Sequence, residues 1–177
     1  LDNKDLRVEG IFGPIIYDMT YEEAKDHGMV VPIKIIWRPV VLNYDICGGA
    51  QDVEKMKIGI WTNDYRNSLI AKDARLYPED TQVLIVTSTI EHAMNLKKLL
   101  PEFSLVHRED ALSLEDRRRY IKQKCITPSE PILNLERRNK PTRMLEKGKL
   151  KKVICTTVWN VGVSFNHLAV LIRGDAG

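Results

Sequence analysis

From Thr81 onward, short apolar runs alternate with stretches of helical spacing. Gln82–Ser88, QVLIVTS, is apolar without the alternation of a one-sided strand, which predicts a strand covered on both faces. Ile90, Ala93, Met94, Leu96 and Leu100 follow at helical spacing up to Pro101, with Ser88 and Glu91 placed as a capping box. Ser104–His107, SLVH, predicts a second short strand, and Ser113 with Asp116 the start of a helix through Tyr120 and Ile121. KVICTT, Lys152–Thr157, predicts a third strand and LAVLIR, Leu168–Arg173, a fourth. Strands alternating with helices at this spacing imply βαβ units and a parallel sheet, so the fold class is α/β.

Ahead of this part the pattern is less regular. Thr20 with Glu23 makes a capping box for a short helix to His27, and Gly28 suits a left-handed stop. Pro32 opens an extended run, IKIIWRPVVLNY, rich in β-branched and aromatic residues. Pro39 inside it points to an edge strand or two short strands. Cys47-Gly48-Gly49-Ala50 reads as a turn, and Asn63–Leu76 as a helix stopped by Tyr77-Pro78. Between the second and third strands, Cys125 to Met144 holds Pro128, Pro131 and Pro141, too many for one regular element, and reads as a loop or insertion. The expected organisation is a linking segment at 1–45 and an α/β domain at 46–177, with a basic, Pro-containing insertion at 125–149.

Composition narrows the class. The chain has 177 residues, 44% hydrophobic and 29% charged, as expected of one domain with a core to bury. No apolar run approaches the roughly 20 residues of a membrane span, and the polar start LDNKDLRVEG has no signal core. Cys47, Cys125 and Cys155 are widely spaced and form no zinc pattern, which fits reduced cysteines in a cytoplasmic protein. The absence of a start methionine suggests a piece of a longer protein. Net charge is only +3, yet Arg117–Lys152 holds thirteen Lys and Arg against three Glu, leaving −7 elsewhere. Such a strip suits a polyanion; a solvated loop would read the same way.

Chemistry gathers at the predicted strand ends. Open parallel sheets bind ligands at the carboxyl ends of their strands. Here those ends carry Thr87-Ser88-Thr89, His107 and Thr156-Thr157. Two lead directly into helix starts, where free N–H groups and the helix dipole favour anions. Hydroxyls and N–H groups are the usual contacts to a nucleic-acid backbone, although Ser and Thr there also serve as plain N-caps. Among the tryptophans, Trp159 is best placed to stack on a base, with core packing as its other use. His27, His92 and His167 are isolated and read as surface or packing residues, and Arg66 has no assigned role.

These residues resemble a known family. The chain is similar to the second RecA-like domain, the helicase C-terminal domain, of superfamily 2 helicases and translocases. The branch with restriction-enzyme motors and phage or bacterial repair helicases is nearest. QVLIVTSTIEHAMNLKKLL resembles motif IV and its helix. SLVH with LSLEDRRRYI resembles the next strand and helix. VICTTVWNVGVSFNHLAVLIRGDAG resembles motif V and the strand after it, and FGPIIYDMTYEEAKDHGMVVP resembles the segment joining the two motor domains.

The resemblance implies a RecA-like, P-loop-NTPase-type sheet without a P-loop of its own. It implies a nucleic acid as polymer partner, DNA ahead of RNA with the choice between them left open, and Thr87, Ser88, Thr156 and Thr157 at its backbone. Gly162 and Ser164 would face the ATP cleft, Ser164 standing where the family has Asp. No catalytic residue and no metal ligand is assigned within the chain.

Missing motifs complete the expectation. There is no G-x-x-x-x-G-K-[ST] and no Asp-Glu pair ending an apolar strand, and the family's Arg-rich motif VI would follow Gly177. The implied protein is an ATP hydrolase whose N-terminal RecA-like domain supplies the P-loop, with ATP and magnesium as cofactors of the full-length motor. The fragment alone is expected to bind neither cofactor and to be inactive. The competing reading is a stand-alone nucleic-acid-binding or scaffold module without ATPase activity.

Overall fold

The apolar runs pair as one four-stranded, all-parallel sheet in a computed structural model of the chain. It describes residues 11, 13, 16–107, 112–129, 135–159 and 165–175, with the backbone alone of 135–139 and 158. The strands are β1 (Val83–Val86), β2 (Ser104–Val106), β3 (Lys152–Cys155) and β4 (Val170–Arg173), in the order β2-β3-β1-β4. Val86 stands opposite Cys155 on one side and Arg173 on the other, and Val106 is also opposite Cys155. The strands therefore end at one level. The fold is α/β with helices flanking a parallel sheet, as expected from the sequence and compatible with a RecA-like domain.

Alternate side chains serve opposite faces. On one face Val83, Ile85 and Ile154 pack with Ala71 and Ala74 of α3 (Asp64–Arg75), with Ala93, Leu96 and Leu100 on and after α4 (Ile90–Leu99), and with Phe103. Small alanines let both helices lie close to the sheet. On the other face Leu84, Val106, Val153 and Cys155 pack with Leu145 near the end of α6 (Leu135–Glu146). Each large apolar side chain buried this way contributes about 1.5–3 kcal/mol. Beside α4, Met94 packs with Tyr120 of α5 (Leu114–Lys122), Cys125 and Ile126.

By contact the chain divides into two compact units, Leu1–Val40 and Val41–Gly177. The boundary read from the sequence, after Asp45, lies inside the second unit. The first unit holds α1 (Tyr21–Asp26) with the expected Thr20–Glu23 capping box, and Gly28 follows at φ +68°. The Tyr21 hydroxyl donates to Val31 O at 3.1 Å and accepts from the Ile33 N–H at 3.3 Å.

Four expectations are corrected. Residues 31–42 form no helix, turn or strand pairing, and Trp37 is 86% exposed. Pro32 and Pro39 remove N–H donors, and β propensity makes a strand only where another strand accepts it. The stretch expected to be an irregular insertion contains α6, with Pro141 inside it. Tertiary contacts hold that helix end: Leu145 is fully buried, and Gln82 Nε2 donates to Leu145 O at 2.8 Å and Leu150 O at 2.7 Å. The cap of α4 is Thr89 rather than Ser88, its hydroxyl accepting from the His92 N–H at 3.3 Å. Thr87 still belongs to the ladder, donating its N–H to Cys155 O at 2.9 Å, so the helix starts one residue late. Finally, α2 (Asp52–Met56) and a π-helical turn at Lys57–Trp61 precede α3 where the sequence pattern predicts no element.

Candidate nucleic-acid interface

The order of the strands reverses the winding of the chain at one point in the sheet. From β1 the chain moves across the sheet to β2, and from β3 it moves the opposite way to β4. The connections lie on opposite faces, α4 on one and Trp159, Phe165 and Leu168 on the other. β1 and β3 are neighbours, so the winding reverses between them. Carboxyl ends at such a reversal are where open parallel sheets bind ligands.

The residues predicted for backbone contact sit at that place. Thr87 continues β1 and Thr156 continues β3, and the Thr156 N–H donates to Val106 O at 3.2 Å. His107 continues β2 and is buried. Across the edge the row therefore reads His107, Thr156, Thr87, Gly174. Ser88 and Thr157, the next residues out, are both exposed.

The hydroxyls in this row differ in availability. Thr87 Oγ1 is buried and lies 3.2 Å from Thr89 O and 3.3 Å from Cys155 O, so its proton is taken up internally. Thr156 Oγ1 is also buried and has no hydrogen-bond partner among the described residues. A buried polar atom without a partner carries a desolvation cost and calls for an explanation. Burial pushes the neighbouring Cys155 thiol up to about 12, so it is neutral and offers no nucleophile. Gly162 and Ser164, assigned to the ATP cleft by resemblance, lie outside the described residues.

Trp159 is committed to packing. Its ring meets Phe165 edge-on at 5.4 Å between centroids, and Nε1 donates to Thr142 Oγ1 at 2.9 Å. In the basic strip, Arg117 donates to Pro128 O at 3.2 Å. Arg119 pairs with Asp116 at 2.8 Å and lies over the Tyr120 ring. Lys152 caps the end of the preceding turn, donating to Tyr77 O and Pro78 O. Arg118, Lys122, Lys124, Lys140, Arg143, Lys147 and Lys149 are also exposed.

A second group at the same edge is not evident from the sequence. His92 is fully buried, with Nε2 2.9 Å from Asn67 Oδ1. Asn67 Nδ2 donates to Trp61 O, which leaves Oδ1 as acceptor and puts the histidine proton on Nε2. Burial first, then the Arg66 charge, hold the His92 pKa at about 4. Arg66 is half-buried, its pKa lowered by desolvation, and its Nη1 donates to Gly174 O. The sequence signal for His92 is its place four residues before Leu96 on the apolar stripe. Arg66 has none, because its contact is with a residue at the far end of the chain.

No match was found among models of known protein families, among curated proteins or among solved structures. Within the described residues no group of three His, Cys, Asp or Glu side chains could hold a metal ion, and no helix is long and apolar enough to cross a membrane.

Proposed function

We propose that the chain is the second motor domain of an ATP-dependent superfamily 2 helicase or translocase that grips a nucleic-acid backbone, DNA first, at the carboxyl edge of its sheet. One observation carries the reading: Thr87-Ser88 and Thr156-Thr157 end adjacent strands at one level, at the point where the winding reverses. Ser88 and Thr157 offer exposed hydroxyls. Thr156 Oγ1 is a buried hydroxyl without a partner among the described residues, which a phosphate oxygen would satisfy once the chain covering it moves aside. The surface cations on and after α5 and α6 add the sequence-independent attraction that backbone binding needs.

In this reading ATP lies between this domain and a P-loop domain of the same protein. In this reading that partner domain also supplies the ligands of the magnesium ion. The three cysteines carry free thiols, which supports a reducing, cytoplasmic setting.

The test is ATP hydrolysis by the complete protein with and without single-stranded DNA. Hydrolysis that rises on adding DNA is the expected result. Hydrolysis that is absent, or indifferent to DNA and RNA alike, contradicts the motor reading.

A further inference from the structure

Three elements converge on Gly174. Its N–H donates to Val86 O at 2.8 Å, and its carbonyl accepts from the Arg66 guanidinium. A Cβ at this position would lie 3.1 Å from Val86 O, 3.3 Å from His92 Cε1 and 3.4 Å from Thr87 Cγ2. A side chain there would be tight enough that Val86 O had to give by a few tenths of an ångström, so the chain leaving β4 lies close against the end of β1.

Arg66 is itself held in place. It stands in the first turn of α3, where its N–H donates to the side chain of the cap Asn63 at 3.0 Å. Its guanidinium is half-buried, and the nearby Asp175 carboxylate is already bonded by Arg173 at 2.9 and 3.1 Å. A cation taken partly out of water and given a backbone carbonyl as its described acceptor is costly to place. Its value to the fold lies in what it holds. The neutral His92 beside it, fixed by Asn67, adds no competing charge.

We propose that Arg66 is a positioning residue that clamps the carboxyl end of β4 to the first turn of α3, holding Gly174 against the end of β1, and thereby shapes the strand-end surface around Thr87 and Ser88. Its functional consequence rests on the nucleic-acid reading above. Arg66 touches Gly174, not the polymer.

The experiment uses the complete protein and the variants Arg66→Ala and Arg66→Lys, with two readouts. Backbone hydrogen exchange should accelerate about tenfold at Gly174 in Arg66→Ala, while Val83–Val86 keep their protection. Arg66→Lys, which keeps the charge but not the planar fork, should show the same local change and serves alone if the alanine variant does not fold. Single-stranded DNA affinity should fall several-fold with an unchanged salt slope, because Arg66 neutralises no phosphate. Unchanged exchange at Gly174, or equal acceleration throughout the sheet, overturns the proposal. A salt slope reduced by about 0.7 also overturns it, since Arg66 would then be contacting a phosphate itself. If the unaltered protein binds no strand, the nucleic-acid reading fails and the exchange result alone decides the clamp.

Discussion

His92 Nε2 lies 2.9 Å from Asn67 Oδ1, joining α4 to α3 beneath the carboxyl edge of the sheet. The histidine has a pKa of about 4 against an ordinary 6.5, because it is buried and faces Arg66, with Asp175 opposing weakly. Between these values the unfolded chain takes up a proton that the folded chain refuses. Its contribution is complete above pH 6.5 and is lost as pH falls toward 4, on the order of 3 kcal/mol. Urea unfolding of the native chain and His92→Gln at pH 7.5, 5.5 and 4.5 checks this. The stability gap between the two should shrink steadily as pH falls; a constant gap contradicts the buried neutral histidine.

Gln82 ties the amino end of β1 to the end of α6 through Leu145 O and Leu150 O. Gln82→Leu keeps the volume but takes the donor from Leu150 O, while Leu145 O keeps the Gly148 N–H at 2.9 Å, so it should cost about 1 kcal/mol, read as a lower urea midpoint with unchanged m.

Lys124 has φ +58°, a left-handed residue that closes α5 without being glycine. Its N–H donates to Ile121 O, and the next N–H donates to Tyr120 O. Lys124→Gly should therefore stabilise the protein by about 0.5–1 kcal/mol, measured by thermal or urea unfolding.

What the sequence made legible was whatever is local. The four strands, the α1, α3, α4 and α5 helices and the caps at Thr20 and Ser113 follow from apolar spacing and from side chains that bond their own neighbours. What stayed hidden is held by distant contacts. Pro141 forbids a helix on local grounds, yet α6 forms because Leu145 fills the core and Gln82 binds its end. Residues 31–42 have strand composition but no strand beside them. At the candidate site the strand-end hydroxyls were readable from Thr87-Ser88 and Thr156-Thr157. The reversal between β1 and β3 needed the strand order, and the Arg66–Gly174 hydrogen bond spans most of the chain.

The basic strip calls for point changes, because Leu145 lies within it and belongs to the core. Lys140, Arg143, Lys147 and Lys149 lie at the surface, and replacing all four with Ala should leave the fold intact. If they neutralise phosphates, the slope of log affinity for single-stranded DNA against log salt should flatten by about 0.7 for each phosphate left without its cation. An unchanged slope assigns the strip to solvation alone.

Thr156 bears most directly on the nucleic-acid reading, because its hydroxyl is buried at the winding reversal and has no partner among the described residues. Thr156→Val keeps the shape and removes that hydroxyl. The decisive measurement is the affinity of the complete protein for single-stranded DNA, taken alongside its unfolding midpoint. The expected result is opposite movement: binding weaker by about tenfold, near 1.4 kcal/mol, in a protein that is at least as stable as before. Strand affinity unchanged in a folded Thr156→Val protein would contradict the assignment of this strand end as the nucleic-acid grip.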